Sequence, residues 1–429
     1  MTTTIFTIAS LLFLAAHAFR VGSPGGALFW LIAGGLAVSS LPWKNWVLAG
    51  LLVFGCWLWG DSAFALIQQR MAHDLPWLRL AAILGAVALA CLAAAVLNCR
   101  TALRKFPPGS LVQGLAFLLT VGGLAIAKHK ASLNIILLDR FFPSGGWMVV
   151  ILLGFYAAWL AGKMLVPNQS GKWRRRIWLI FSAVFFLQLL LGLLGLERFL
   201  MTGKLHLPIP ALIAAGPLYR GDGFFMLILF SVTLMLAGPA WCSHLCYIGA
   251  WDNWAAASRK RVVTLPGWTK LVRWLICLAV LIGAFLLGRS GQPVGLAVAL
   301  AAVFGVVGVV LMLFWSRRSG VMTHCTTYCP MGLLANIFGR ISPWRIRIAS
   351  GCSRCGACSG FCRYGALTAP DLADGKPGFS CSLCGDCISG CPHGHLHYSL
   401  PGLGPKTARS VFIVVIVALH AIFLGVARL

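Results

Sequence analysis

Long apolar stretches constrain the fold of this chain more than any other feature of its sequence. An α-helix needs roughly 20 apolar residues, within a range of about 17–25, to cross the hydrocarbon core of a bilayer. Stretches that meet or nearly meet that length lie at about 4–19, 26–42, 46–68, 78–98, 111–127, 146–166, 177–197, 223–241, 268–288, 293–315 and 410–427. We therefore predict an all-α polytopic membrane protein with about 11 transmembrane helices.

The charged residues support a membrane protein and suggest its orientation. Only 10% of the residues are charged, and 35 lysines and arginines stand against nine acidic residues. Most of the basic residues lie in short loops between apolar stretches, and they form no patch interleaved with aromatic residues, so we expect no nucleic-acid partner. The larger share of basic residues lies inside if the N-terminus is inside. That orientation predicts a multi-pass protein of the bacterial cytoplasmic (inner) membrane, with segment 316–409 on the cytoplasmic side.

Segment 316–409 contains a run of eight cysteines in two quartets with the same spacing. The spacing C-x2-C-x2-C-x3-C is that of bacterial two-cluster ferredoxins, in which the fourth cysteine of each run ligates the other cluster. We therefore assign one [4Fe–4S] cluster to Cys352, Cys355, Cys358 and Cys391, and a second to Cys381, Cys384, Cys387 and Cys362. A pair of zinc sites is the alternative, but it would leave the third and fourth cysteines of each run unused.

Details of the two quartets bear on this assignment. Gly356 and Gly385 occupy corresponding positions, where a missing side chain lets backbone N–H groups approach the inorganic sulfides. Arg363 stands where the common pattern has proline, while Pro392 follows the last cysteine. The segment is too poor in apolar residues for a large core, so bound metal would have to stabilise it as a small ferredoxin-type α+β domain inserted before the last helix.

Two further cysteine pairs have C-x3-C spacing at the ends of apolar stretches. Cys242 and Cys246 follow the eighth stretch, and Cys325 and Cys329 follow the tenth. On a helical turn, residues four apart share one face, so we expect each pair to present both sulfurs together. The four thiols could bind an additional cluster or a metal ion, act as redox-active thiols, or simply pack at helix ends. Neighbouring His244 and His324 are possible ligands or hydrogen-bond donors.

Repeated units of two apolar stretches and a C-x3-C pair, followed by the two-quartet segment, resemble the NapH/NosR-type membrane polyferredoxins. The resemblance covers about 177–395 and is carried by the cysteine pattern; Tyr247 departs from it, because the family usually has proline after the second cysteine of each pair. It implies a quinol dehydrogenase membrane component, with quinone as substrate and periplasmic or membrane redox subunits of a respiratory complex, such as a cytochrome or reductase, as partners. Some members of that family serve regulation or assembly.

A quinol-linked protein needs an apolar cleft with a proton acceptor near the membrane surface. The long apolar loop after Glu197, interrupted by prolines, is the best candidate, and we expect it to fold back into the bilayer edge. His206 could accept protons there and Glu197 could relay them, although either could be an ordinary interfacial residue.

These observations predict a division of the chain and its function. We expect a four-helix membrane module at 1–107, an electron-transfer core at 108–315, a ferredoxin domain at 316–405 and a C-terminal transmembrane helix at 406–429. The predicted function is electron transfer between the quinone pool and a redox partner. The alternative is a redox sensor or an assembly factor for a metalloenzyme.

Overall fold

A computed structural model describes residues 2–105, 109–131, 133–143, 145–200 and 207–426, which are mostly helical. The α-helices in those ranges are α1 (Thr2–Arg20), α2 (Pro24–Val38), α3 (Lys44–Ala72), α4 (Leu78–Lys105), α5 (Gly109–Lys130), α6 (Gly146–Leu165), α7 (Pro167–Leu193), α8 (Leu212–Arg220), α9 (Phe225–Ala237), α10 (Trp241–His244), α11 (Tyr247–Ala257), α12 (Trp268–Arg289), α13 (Val294–Leu311), α14 (Arg317–Ser319), α15 (Pro330–Phe338), α16 (Ala369–Ala373), α17 (Asp386–Ser389) and α18 (Pro405–Val426). Strands β1 (Arg345–Ile348) and β2 (Leu396–Ser399) form the one sheet in these ranges.

Ten helical segments in the described residues are long and apolar enough to cross a membrane, one fewer than the sequence predicted. The exception is the stretch at 26–42, where α2 has only 15 residues. At 1.5 Å per residue such a helix is about 22 Å long, short of a hydrocarbon core of about 30 Å. It ends because the backbone N–H and the hydroxyl of Ser39 both turn back to Leu36 O, and Pro42 follows shortly after.

The shorter α2 affects the predicted orientation. With α18 set aside, nine of the ten candidate spans precede the cysteine-rich segment. Both the N-terminus and that segment would lie inside only if α2 also crossed, so the orientation stays a prediction.

The chain divides into two compact units, Met1–Gly162 and Lys163–Leu429. Within the first unit, α3 packs along α4 and α1 packs against both α2 and α4. A buried hydrogen bond of 2.7 Å from Asn98 Nδ2 to Thr7 Oγ1 joins α4 to α1. Polar pairs of this kind hold helices together where no water competes for them.

In the second unit, a short helix turns back into the apolar interior. Helix α8 packs against α12 and α9, and it ends at Gly221, whose φ of 77° is accessible to glycine without strain. The contact with α12 is close, since a Cβ at Gly288 would lie 2.1 Å from Tyr219 O. Helix α8, in the described second part of the loop after Glu197, thus packs against the longer helices, while the return of the loop into the bilayer edge stays a prediction.

The cysteine-rich segment is closed by its two strands. Strands β1 and β2 pair antiparallel, with Ile346 opposite Tyr398, so the beginning and the end of the segment meet. Tyr398 stacks on Phe412 of α18 with ring centroids 4.2 Å apart, and Trp344 Nε1 donates to Leu236 O of α9 at 2.8 Å. The segment is therefore packed against the long helices of its own unit.

Candidate iron–sulfur centres

Twelve of the cysteines line three separate cavities, four cysteines to each. We call them the outer cavity (Cys352, Cys355, Cys358, Cys391), the middle cavity (Cys362, Cys381, Cys384, Cys387) and the membrane-edge cavity (Cys242, Cys246, Cys325, Cys329). The first two sets are the ones that the spacing of the eight-cysteine run assigned to separate clusters, and the third joins both C-x3-C pairs. The membrane-edge cavity is the largest of these three, at about 390 Å³ against about 280 and 290 Å³ for the outer and middle cavities.

The loops of the outer and middle cavities have the same backbone conformation. In the first loop Arg354 and Gly356 have φ of 56° and 75°, and in the second Leu383 and Gly385 have φ of 55° and 78°. Alternation of left- and right-handed residues turns successive N–H groups toward one side and forms an anion-binding concavity, as at many iron–sulfur sites. The glycines are therefore explained by their positive φ. At Gly356 space is no constraint, because an added Cβ would meet no protein atom within 4 Å.

The two quartets are interlocked by short helical turns. The 3-10 turn Ala357–Phe361 includes Cys358 of the outer cavity and ends at Cys362 of the middle one. Helix α17 includes Cys387 of the middle cavity, and Cys391 of the outer cavity follows two residues after it. Cys362 Sγ accepts a backbone hydrogen bond from Ala366 at 3.2 Å, of the kind that stabilises a thiolate.

The two C-x3-C pairs fold alike, but not as continuous helical turns. In each pair the second cysteine donates its N–H to a carbonyl five residues earlier: Cys246 to Trp241 O at 3.1 Å, and Cys329 to His324 O at 2.7 Å. That cysteine has an extended backbone and is the N-cap residue of the next helix, α11 or α15. The predicted convergence of the sulfurs is therefore achieved by a wide turn followed by a break in the helix. Segment His324–Tyr328 is accordingly a π-helical turn, a conformation frequent at functional sites.

As N-caps, both cysteines lie beside the first backbone N–H groups of the following helix, which favour their thiolates. These are the N–H groups of Ile248 and Gly249 for Cys246, and of Met331 and Gly332 for Cys329. Burial raises the pKa of the Cys246 thiol to about 12, and these N–H groups oppose the shift. A buried thiol with so high a pKa stays protonated unless a metal or another positive charge stabilises its thiolate.

The fold of these pairs reveals a longer repeat that the sequence analysis missed. Both pairs belong to the pattern C-x3-C-x2-G-x3-N, with Gly249 and Asn253 in the first copy and Gly332 and Asn336 in the second. A Cβ at Gly332 would lie 2.3 Å from Cys325 O, and one at Gly249 would lie 2.8 Å from Cys242 O. The glycines thus let the carbonyl of the first cysteine approach the next helix. Aligning the two pairs by eye would have found them.

Arg273 of α12 also lines the membrane-edge cavity, and no sequence pattern distinguishes it from other basic residues near the ends of apolar stretches. Its side chain is 7% exposed, its Nε makes no hydrogen bond, and no acidic side chain of the described residues forms an ion pair with it. A buried guanidinium is costly without a negative partner. The four thiols beside it supply negative charge when they are deprotonated.

Asp252 is a second buried group at this site. Its Oδ2 accepts the backbone N–H of Cys325 at 2.9 Å, which ties α11 of the first repeat to the second repeat. Burial raises the pKa of this carboxyl to about 6. The sequence analysis did not single it out, because nothing in the sequence places it beside a motif 73 residues away.

The middle and membrane-edge cavities are neighbours. Tyr364 lines both, and its hydroxyl donates to Cys242 O at 3.4 Å. Ser243 Oγ donates to Ser382 O of the second cysteine loop at 3.0 Å. One tyrosine ring therefore forms a shared wall between two sets of four thiols.

A buried ion pair fixes the second cysteine loop to the membrane helices. Arg174 of α7 makes two hydrogen bonds to Asp386, of 3.0 Å from Nε and 2.6 Å from Nη2, and a third of 2.9 Å from Nη1 to Ser243 O. Arg174 is 1% exposed and Asp386 is 6% exposed. The exposed neighbour Arg175 approaches the same carboxylate at 3.6 Å. From the sequence, Arg174 resembles the loop charges that set topology, because it lies at the start of an apolar stretch.

The remaining predicted site residues fall elsewhere. His206 lies outside the described residues, and Glu197 is exposed in the 3-10 turn Glu197–Phe199. His244 and His324 are buried but are not among the residues that line the membrane-edge cavity, so neither is placed as a ligand. Helix α8 does reach this region, because Ala214 belongs to the same buried apolar cluster as Cys242, Cys246 and Cys329.

Comparison with known proteins adds one finding. The model of a family described as "4Fe-4S binding domain" matches residues 221–266, which contain α9, α10 and α11 and the first C-x3-C-x2-G-x3-N copy. No curated protein and no solved structure matches the chain. The chain thus carries a 4Fe-4S binding domain, which indicates iron–sulfur electron transfer. The ten long apolar helices of its described residues are compatible with a multi-pass membrane protein.

Proposed function

We propose that this protein is a membrane-bound electron relay between the quinone pool and a redox partner, as in the NapH/NosR-type polyferredoxins. Two [4Fe–4S] clusters would occupy the outer and middle cavities, and a further iron–sulfur cluster the membrane-edge cavity. The observation that carries the proposal is the succession of three four-cysteine cavities, of which two share the wall formed by Tyr364.

The residues of the three cavities suit clusters better than single metal ions. Four thiolates on one zinc ion, each about 2.3 Å from the metal, would stand about 3.8 Å from one another. Among the described residues, no three His, Cys, Asp or Glu side chains converge as ligands of one ion. Each set of four thiols instead surrounds a space, as the ligands of an iron–sulfur cube do.

The charges around the cavities support thiolate ligands in particular. Arg273 brings a buried positive charge to the membrane-edge cavity, and the first N–H groups of α11 and α15 point at Cys246 and Cys329. The left-handed loops provide the corresponding N–H groups at the outer and middle cavities. Bound clusters supply one-electron transfer; the chain's own residues hold them and balance their charge.

Quinone enters the proposal through the loop that turns back into the helices. Helix α8 is apolar, and its packing is continuous with that of the membrane-edge cysteines. This arrangement supports a quinone close enough to the membrane-edge cavity to exchange electrons with it. His206 and Glu197 are the proton-handling residues that we propose, on sequence grounds alone.

The polarity of the relay follows from exposure. Cys355 of the outer cavity is exposed, whereas all four cysteines of the membrane-edge cavity are buried. We propose that electrons exchange with a soluble or membrane redox partner at the outer cavity, on the cytoplasmic side of a bacterial inner membrane. Either direction of flow is compatible with this order.

The test is an iron count and electron paramagnetic resonance of the purified full-length protein, before and after addition of a quinol. We expect about twelve irons per chain if all three cavities hold cubes of four irons, and partial reduction of the clusters by quinol. The variant Cys246→Ser/Cys329→Ser should lose about four irons. Its outer and middle centres should remain but no longer be reduced by quinol.

Two results would count against the proposal. About eight irons per chain in the wild-type protein would mean that the membrane-edge cavity holds no cluster. Clusters that stay oxidised with excess quinol would remove the link to quinone, and would favour a role in sensing or assembly instead.

A further inference from the structure

The first compact unit contains a polar cavity that the electron relay does not use. It measures about 540 Å³ and opens where the N-terminal ends of α1 and α3 meet the C-terminal ends of α2 and α4. Its described lining residues are Thr3, Thr4, Thr7, Ala37, Lys44, Asn45, Leu48, Asn98 and Thr101. Such a concentration of hydroxyl and amide groups is unusual among apolar helices, where polar residues tend to mark binding sites.

Asn45 indicates that the cavity accepts a ligand. Its side chain is only 6% exposed and lines the cavity, and no described residue forms a hydrogen bond with its amide. The amide is therefore open to the cavity, where a ligand can form hydrogen bonds with it. Asn98, by contrast, already donates to Thr7 Oγ1 and to Ala94 O.

The donors and charges in the cavity favour an anion. Lys44 donates to Ala37 O and Ser39 O, which leaves one of its three N–H bonds for a ligand. Helices α1 and α3 have 19 and 29 residues, and residues of their first turns line the cavity, so the positive ends of both helix dipoles lie there. In α3 the N–H groups of Lys44 and Trp46 already donate to Leu41 O and Trp43 O. No carboxylate occurs among the described residues of the lining. The site therefore offers several donors and a net positive charge.

The position of the cavity suits a group at the membrane surface. Thr3 begins a candidate span, and Thr7 lies one turn further along it, about 6 Å deeper at 1.5 Å per residue. Asn98 lies six residues before the end of the span that finishes at Arg104, about 9 Å from that end. A small anionic group could thus enter between the helix ends from the headgroup layer.

We propose that this cavity binds a phosphate group. Phosphate is the chemistry shared by a phospholipid headgroup and by inorganic phosphate, and its oxygens would accept from the amide of Asn45 and the ammonium of Lys44. The neutral alternative is that the polar residues only hold the helices together. That role is already filled by the Thr7–Asn98 bond, in which Asn45 has no part.

The experiment measures ligand-dependent thermal stability of the delipidated full-length protein in detergent. One arm adds inorganic phosphate, and the other adds mixed micelles that contain phosphatidylglycerol, with a phosphate-free glycolipid as the reference. Asn45→Asp keeps the size of the side chain but repels an anion. It should weaken binding by at least about tenfold, since a hydrogen bond to a charged group contributes about 1.5–3 kcal/mol. The control Arg100→Met removes an exposed positive charge from the same end of α4 and should change affinity by less than about twofold.

Stabilisation by phosphatidylglycerol alone supports a lipid headgroup, and stabilisation by inorganic phosphate supports a soluble ion. The proposal is overturned if neither ligand raises the unfolding temperature above the glycolipid reference. It is also overturned if Asn45→Asp binds as tightly as the wild type, or if Arg100→Met weakens binding as much. Should Asn45→Asp fail to fold, Lys44→Gln has the same expected loss and replaces it.

Discussion

The buried pair between Arg174 and Asp386 allows a sharp test of how the second cysteine loop is held in place. The change is Arg174→Met, which keeps an unbranched apolar stem in place of the arginine stem but removes the charge and all the hydrogen-bond donors. Because Asp386 directly precedes Cys387, loss of its partner leaves a buried carboxylate beside the middle cavity.

The magnitude follows from the burial and the geometry of the pair. Removing one partner of a buried ion pair costs about 3–5 kcal/mol, since the remaining charge is left without compensation. Ser243 O loses its donor as well. Arg175, at 3.6 Å from the same carboxylate, offsets part of this, so we expect about 3 kcal/mol, or more than about a hundredfold in an equilibrium constant.

The assay follows the loss of iron–sulfur absorbance during denaturation by guanidinium, for the wild type and for matched variants. Arg175→Met is the control, because it removes a neighbouring arginine that contacts the same carboxylate but is 45% exposed. Exposed pairs contribute about 0–1 kcal/mol, so this variant should resemble the wild type. Asp386→Asn in the Arg174→Met background should restore part of the loss by removing the uncompensated charge.

Two outcomes would refute this reasoning. If Arg174→Met and Arg175→Met lower the denaturation midpoint equally, the buried geometry has no special role. If Asp386→Asn makes Arg174→Met worse, the damage does not come from an unpaired carboxylate.

Three further predictions concern the cavities themselves. Arg273→Gln should lower the midpoint potential of the membrane-edge centre in a redox titration, because a buried positive charge favours the more negative reduced state. Arg273→Lys keeps the charge and should have a midpoint potential close to that of the wild type. Equal potentials in the wild type and Arg273→Gln would contradict the assigned role. Gly332→Ala should lose about four irons per chain, since its Cβ would lie 2.3 Å from Cys325 O, whereas Gly283→Ala, with no atom within 4 Å, should keep them all. Arg354→Gly should raise the free energy of unfolding by about 1 kcal/mol in the same denaturation assay, because Arg354 is exposed and its φ of 56° is strained for any residue but glycine. A destabilised variant would show that contacts of the Arg354 side chain outweigh the backbone strain.

The sequence predicted local arrangements better than distant ones. The grouping of Cys352, Cys355 and Cys358 around one cavity follows from a short loop, and interlocking by Cys391 follows from the symmetry of the spacing. Arg174 and Asp386 are 212 residues apart, and no sequence pattern relates them. From the sequence, Arg174 cannot be distinguished from a loop charge, since a basic residue at the end of an apolar stretch usually is one.

The membrane helices show a similar limit. Composition identified the apolar stretches, but the length of α2 depends on where Ser39 turns its hydrogen bonds back to Leu36, and that is a matter of local geometry. Tyr247 stands where the second repeat has Pro330. It is the first residue of α11, and its ring stacks on Phe185 with centroids 3.8 Å apart, so a contact with α7 takes the place of that proline.

The exchange of cysteines between the outer and middle cavities has a consequence for how the protein is made and how it fails. Each short helical turn supplies thiols to both cavities, so inserting the first cube would align half of the ligands for the second. Oxidation that destroyed the exposed outer cube would likewise release Cys391 and loosen α17, which carries Cys387 of the middle cavity. The segment would then be matured, and discarded, as a single unit, and a cell would hold few copies with only one of the two cubes.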